Sequence, residues 1–182
     1  MILPVYLYGN PILRKEAVEI EMNYPGLNEL IDNMFETMYH DRGVGLAAPQ
    51  IGKTIRLFVI DTEPFLESYP ETEVLKGVFI NPIIEDEFGD DFTFNEGCLS
   101  VPDVNADVVR KSEILLSYLD ENGELQEREF KGMVARVIQH EYDHLEGQVF
   151  VDRLPSLKKM VLKRKLNDII SGKSKPFYKT VN

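Results

Sequence analysis

Residues 139–144 read Q-H-E-Y-D-H, and this stretch governs the fold because it requires a helix inside the protein. On a helix, residues four positions apart project from one face, so His140 and His144 can bind the same metal ion. Glu141 then lies beside the open position of that ion, where a carboxylate can accept a proton from water. The stretch therefore predicts a hydrolytic metal site.

The rest of this helix is largely apolar. Its apolar residues fall on two adjoining stripes at helical spacing, Met133 and Val137 with the histidines, and Val134, Ile138 and Leu145 beside them. We expect the helix to cross the interior and to end at Gly147 in the left-handed conformation. A narrow strip remains for solvent, made of Ala135, Arg136, Gln139, Asp143 and Glu146. An ordinary buried helix with two incidental histidines would give the same pattern, so a third ligand is needed to decide.

The third ligand has one clear candidate. The chain has a single cysteine, Cys98, in the segment E-G-C-L-S at residues 96–100. A lone cysteine is by default a small core residue, but beside a buried helix with metal-ligand spacing it becomes a ligand candidate. The glycine before it allows the backbone to approach closely.

A further segment, G-V-G-L-A-A-P-Q at residues 43–50, is rich in small residues and ends in an amide side chain. With it, the chain resembles the peptide deformylase family, whose motifs GxGLAAxQ, EGCLS and QHExDHLxG occur here in the family's order at 43–50, 96–100 and 139–147. The resemblance implies a metal-dependent hydrolase that removes the N-formyl group from the formylmethionine of nascent polypeptides and releases formate.

The resemblance also implies roles for individual residues. Cys98, His140 and His144 would bind one divalent metal ion, and Glu141 would be the general acid and base. Thiolate with imidazole suits iron, cobalt, nickel or zinc. The family implies Fe²⁺ in the cell, with Zn²⁺, Ni²⁺ or Co²⁺ in a purified sample.

Around the metal, the resemblance implies donors to the developing oxyanion, namely the Gln50 side chain and the Leu99 backbone N–H. Substrate would contact Gly43, Val44, Gly45, Gly97, Met133 and Val137. The first three would pair with an extended peptide by strand addition. A plain turn at the glycines and ordinary core packing at Met133 and Val137 are the alternatives.

A supporting pair is implied as well. Glu96 and Arg110 match positions that form an ion pair holding the cysteine segment. Exposed charges without a partner are the alternative. The chain departs from the family at Asn105, where many members have an arginine that helps to hold the peptide. Asparagine has no charge and cannot form the paired, charged hydrogen bonds of an arginine.

The chain length of 182 residues predicts one domain spanning residues 1–182. An amphipathic helix is expected from Leu27 to Met38, after Pro25. Strand patterns follow at 55–60, 78–84, 92–94, 104–109, 114–119 and 125–130. Asn122-Gly123 favours a hairpin turn. We therefore expect an α+β fold, with largely antiparallel sheets packed around the central metal-binding helix and with a C-terminal helix.

Charge is unevenly distributed along the chain. The net charge is −11, yet residues 155–182 carry eight basic side chains against Asp168 alone. This part predicts a basic amphipathic helix and tail. It could contact the phosphates of ribosomal RNA, or simply pack its apolar side on its own domain. N-formylmethionyl peptides and nascent chains are the expected substrates.

The cellular location is predicted from sequence features that are missing. The sequence shows neither a secretory signal nor a membrane-length apolar stretch. One cysteine cannot form an internal disulfide, which fits a reducing cytoplasm. We expect a cytoplasmic protein with no membrane or DNA partner.

Two other functions use the same helix. A different metallopeptidase or amidase would usually complete its site with histidine or carboxylate instead of Cys98. A structural metal domain would need a fourth protein ligand. His40 is the only remaining histidine.

Overall fold

The computed structural model describes residues 1–182. Its helices are α1 (Leu27–His40), α2 (Gly132–Leu145) and α3 (Ser156–Ile170). Its strands are β1 (Val5–Tyr6), β2 (Gly45–Ala47), β3 (Leu57–Asp61), β4 (Lys76–Cys98), β5 (Val101–Leu119), β6 (Leu125–Lys131) and β7 (Thr180–Val181). This mixture of helices and sheet confirms the predicted α+β class.

The main sheet has five antiparallel strands in the order β2-β3-β4-β5-β6. Its largest part is the long hairpin of β4 and β5, which closes where Cys98 pairs with Val101. The predicted hairpin turn at Asn122-Gly123 is confirmed, since β5 and β6 are antiparallel neighbours and Gly123 has φ +79°. A second, small sheet joins β1 to β7 in parallel.

Helix α2 lies in the middle of the protein and packs against β2, β3, β5 and β6. It ends as predicted, because Gly147 has φ +68° and a side chain there would lie 2.7 Å from the Arg14 carbonyl oxygen. The central position of the metal-motif helix is therefore confirmed.

The solvent strip expected on α2 is wrong. Arg136, Gln139 and Asp143 are each at most 4% exposed, Ala135 is fully buried, and only Glu146 is partly open. The buried polar side chains have partners on the sheet: Gln139, for example, donates to the Lys111 carbonyl at 3.0 Å. Hydrogen-bonded polar groups can be buried without a large penalty, and periodicity alone cannot reveal those partners.

Helix α1 packs on the opposite side of the main sheet through Ile31, Met34 and Met38. Helix α3 joins a separate core cluster through Leu166 and Ile169, together with Leu7. The first half of α3 differs, because its apolar residues Leu157, Met160 and Val161 are 70–77% exposed.

None of the helices combines the length and the hydropathy that a membrane span needs.

Candidate metal centre and active site

Three side chains from two distant parts of the chain converge at the end of the β4–β5 hairpin. The ligand atoms of Cys98, His140 and His144 all lie within 4.8 Å of one another. Cys98 Sγ and His144 Nε2 are 3.3 Å apart. Two ligands of one tetrahedral ion, with sulfur at about 2.3 Å and nitrogen at about 2.0 Å, stand about 3.5 Å apart. The donor set and its spacing therefore fit a divalent cation.

The two imidazoles are prepared for that role in different ways. His140 Nδ1 donates to Glu96 Oε2 at 2.8 Å, so Nε2 is the nitrogen available to a metal once it has lost its proton. Burial opposes protonation of His140, but hydrogen bonds with Cys98 and Glu96 raise its pKa well above the ordinary value. Burial lowers the pKa of His144 to about 3, so this imidazole is neutral, which is the ligand form. His144 Nδ1 is buried and has no hydrogen-bond partner.

A buried ionic network holds Glu96 behind His140. Arg110 binds Glu96 through two hydrogen bonds of 2.7 and 3.0 Å, and Arg136 adds a third of 2.8 Å. Burial opposes ionisation of Glu96, yet its bonds to His140 and Arg110 bring its pKa far below the usual range. Arg110 also binds Asp143 at 2.8 Å. The network fixes the orientation of a ligand through its second nitrogen.

Sequence reasoning found the Glu96–Arg110 pair but missed Arg136. The helical pattern assigned Arg136 to the solvent strip, and nothing in its spacing pointed to a partner on β4. The aromatic residues that precede Glu96 in the sequence could have indicated a buried arginine nearby. In the structure the Arg136 guanidinium lies 4.9 Å from the ring centroid of Phe92. Such stacking favours arginine at buried sites.

Glu141 faces the same group of ligands from α2. It is 4% exposed, and its Oε2 is buried without a hydrogen-bond partner. Burial raises its pKa to about 7. A Cβ on Gly45 would overlap Glu141 Oε1 and come within 2.8 Å of its carboxyl carbon, so a larger residue there would displace the carboxylate. A carboxylate with a free oxygen and a pKa near neutrality can both accept and return a proton.

The Gln50 side chain is held in one orientation. The Ala47 backbone N–H donates to Gln50 Oε1 at 2.9 Å, which turns the amide nitrogen towards Cys98. Gln50 Nε2 then donates to Cys98 Sγ at 3.4 Å and to Ser100 Oγ at 3.2 Å. Leu99 lies between those two residues at the tip of the β4–β5 hairpin. The Gln50 amide nitrogen therefore lies beside the thiol, and Leu99 directly follows the cysteine.

A cleft of about 550 Å³ opens over these groups. The predicted site residues that line it are Gly43, Val44, Gly45, Gln50, Glu96, Gly97, Cys98, Leu99, Val137, His140 and Glu141. Asn105 also lines it, whereas Met133 is buried and does not reach it. One side of the cleft is formed by residues 43–45, which lead into β2, an edge strand that pairs only with β3 in the main sheet. An extended peptide could pair with that edge.

Comparison with known proteins gives the family. A family model described as polypeptide deformylase matches residues 2–160. The chain belongs to this family. The peptide deformylase of Christiangramia forsetii is 50% identical over 186 residues, spanning 98% of this chain and 95% of the relative. The peptide deformylase of Flavobacterium johnsoniae is 51% identical over 181 residues, spanning 96% and 92%.

Solved deformylase structures agree with the fold. The Thermus thermophilus enzyme superposes with a TM-score of 0.83 at 38% identity, covering 94% of this chain and 99% of that one. The Acinetobacter baumannii enzyme, solved with Met-Ala-Ser bound, gives 0.79 at 37% identity, covering 85% and 99%. Deformylases remove the N-formyl group from nascent peptides, and this chain is such a hydrolase.

Family membership decides against the two rival functions. A structural metal site would need a fourth ligand, and His40 does not supply it, because His40 Nδ1 pairs with Asp41 at 2.6 Å and lies outside the ligand group. Cys98 as the third member of that group distinguishes the deformylase site from most other peptidase sites that use the same helix motif.

Proposed function

We propose that this deformylase uses Glu141 as general acid and base, with Cys98, His140 and His144 as the metal ligands. The observation that supports this assignment is the free, buried Oε2 of Glu141 beside the converging sulfur and imidazoles. With a pKa of about 7, Glu141 can both accept and donate a proton near neutral pH, because its two protonation states then have similar free energies.

The metal we propose is Fe²⁺ in the cell, with Zn²⁺, Ni²⁺ or Co²⁺ replacing it in purified samples. One thiolate with two imidazoles accepts all of these ions. The chemistry that such a cation supplies is Lewis acidity, which polarises a carbonyl and makes water nucleophilic at neutral pH. Elemental analysis of protein prepared without oxygen tests the assignment, and iron below the level of zinc or nickel would refute it.

The protein groups account for the remaining steps. Glu141 takes a proton from the water that attacks the formyl carbon. The Gln50 amide and the Leu99 N–H donate to the oxygen that becomes negative, and each such donor contributes about 3 kcal/mol to the barrier in comparable sites. Glu141 then gives the proton to the amine nitrogen as the C–N bond breaks. Formate and a free amino terminus are the products.

The peptide lies, in this proposal, along residues 43–45, where β2 begins. Gly43, Val44 and Gly45 form the edge that pairs with the substrate backbone, and Val137 and Gly97 border the space for the methionine side chain. The bound Met-Ala-Ser of the Acinetobacter baumannii relative is the expected product of formyl-Met-Ala-Ser hydrolysis, so this tripeptide is a suitable probe.

The test compares formyl-Met-Ala-Ser with acetyl-Met-Ala-Ser. We expect formate and free amine from the first and much slower release of acetate from the second. Glu141→Gln should keep its metal and lose most of its turnover, because an amide cannot accept the proton. A metal-loaded wild type that releases no formate would refute the activity, and full activity of Glu141→Gln would refute the role of this residue.

We also propose that residues 1–182 act as one catalytic domain in the cytoplasm and that α3 contacts the ribosome. The first half of α3 supports the ribosome contact, because it combines exposed basic residues with exposed apolar ones. Lys159→Glu with Lys163→Glu should reduce co-sedimentation with ribosomes without lowering activity on free peptides. Unchanged co-sedimentation would refute the contact.

A further inference from the structure

Part of the C-terminal segment forms a wall of the active-site cleft. Residues 173–182 are here called the C-terminal strap; they leave α3 and run back to β1. Lys175, Pro176, Phe177 and Tyr178 line the same cleft as Glu141. The strap lies beyond residues 2–160, which the family model covers. It is therefore a part of this chain's cleft that the shared motifs do not describe.

The strap is anchored along its length. β7 pairs with β1 in parallel, with backbone bonds from Val5 N–H to Lys179 O at 2.9 Å and from Leu7 N–H to Val181 O at 2.8 Å. The Tyr178 hydroxyl donates to the Leu99 carbonyl at 2.7 Å, which ties the strap to the tip of the β4–β5 hairpin. The wall is thus formed before substrate arrives, and binding need not order it.

Phe177 is the exposed part of this wall. Its side chain is 65% exposed although it belongs to the cleft lining. The ring is held from two sides, because the Arg42 guanidinium lies 5.2 Å from its centroid and the Tyr178 ring meets it edge-on at 5.2 Å. A positioned aromatic ring with an uncovered surface is a favourable contact for a ligand side chain.

Arg42 links this ring to the proposed substrate edge. It directly precedes Gly43, and it has φ +63°, a left-handed conformation that is uncommon for arginine. The edge and the ring therefore stand on neighbouring parts of the cleft. An extended peptide advances about 3.3 Å per residue. Gly45 lies against the Glu141 carboxylate, so a peptide that pairs with residues 43–45 and has its formyl group at the metal ligands would extend past Gly43 towards Arg42 and the ring.

We propose that Phe177, positioned by Tyr178 and Arg42, contacts the second and third residues of the formylated peptide and so favours peptides over formylmethionine alone. The proposal rests on the deformylase mechanism given above. It makes the strap a specificity determinant of this enzyme, separate from the residues that carry out the chemistry.

The experiment compares formyl-Met-Ala-Ser with N-formylmethionine amide, which lacks the later residues. For Phe177→Ala we expect kcat/KM on the tripeptide to fall about tenfold, mainly through a higher KM, and to change less than twofold on the amide. Phe177→Tyr keeps the ring and should stay close to wild type on both. Leu125→Ala, at a residue 74% exposed and outside the cleft, is the matched control and should change neither.

Each other result overturns the proposal. An unchanged kcat/KM of Phe177→Ala on the tripeptide, or an equal loss on both substrates, would show that the ring does not select for the later residues. If wild-type protein released no formate from either substrate, the deformylase mechanism itself would fail and this inference with it. Activity of the wild type on the amide thus separates failure of the inference from failure of the mechanism.

Discussion

Replacing Glu96 by glutamine tests the network behind the metal ligands. Glu96 is 3% exposed and accepts hydrogen bonds from Arg110, Arg136 and His140. A glutamine keeps the shape but loses the negative charge and offers one acceptor oxygen in place of two. Arg136 would then lack a counter-charge, Arg110 would keep only Asp143, and His140 would lose the partner that orients it.

The size of the effect follows from this geometry. Removing one partner of a buried ion pair costs about 3–5 kcal/mol. Arg110 keeps its bond to Asp143, so we expect about 3 kcal/mol, a large part of the typical total of about 5–15 kcal/mol. Loss of a residue that orients a metal-bound histidine lowers metal affinity by about 10–100-fold.

Urea unfolding of metal-free wild type and Glu96→Gln at neutral pH measures the stability change, and competition with a chromogenic chelator measures metal affinity. Glu113→Gln is the control, because Glu113 pairs with Lys131 at 2.9 Å at the surface. Because water screens such an exposed pair, its removal should change stability very little. The reasoning is refuted if Glu96→Gln loses no more stability than the control and binds metal as tightly as wild type.

Three further substitutions test the site. Cys98→Ser should lower bound metal per chain at least about tenfold, because a hydroxyl is a poor substitute for a thiolate; unchanged metal content would contradict the ligand assignment. Gly45→Ala should reduce kcat about a hundredfold at normal metal content, since its Cβ displaces the Glu141 carboxylate, and normal turnover would argue against Glu141 as the proton carrier. Tyr178→Phe loses its bond to Leu99, worth about 1 kcal/mol, and should lower kcat about fivefold on N-formylmethionine amide; an unchanged kcat would mean that Leu99 does not depend on this bond.

The metal centre was predictable because its information is local. His140 and His144 are one helical turn apart, and the apolar stripes of α2 correctly indicated a buried helix. Cys98 could be added because it is the only cysteine. The structure brings all three together.

The surroundings of the site were less predictable, because they depend on pairings between distant segments. The burial of Arg136 depends on Glu96, forty residues away on β4. The strap depends on two-residue strands at opposite ends of the chain, and a pair of residues carries no periodicity to detect. Sequence reasoning saw only a basic tail there. An aromatic pair at Phe177 and Tyr178 in otherwise polar surroundings was the one local signal.

The position of Cys98 at the tip of the long β4–β5 hairpin has a mechanical consequence. A cation shared with His144 would cross-link two segments 46 residues apart and anchor the free end of the hairpin to the central helix. Amide protons at the hairpin tip should then exchange with solvent at a rate set by ion release. The sites most open to proteases in the ion-free protein should be those that the ion normally clamps.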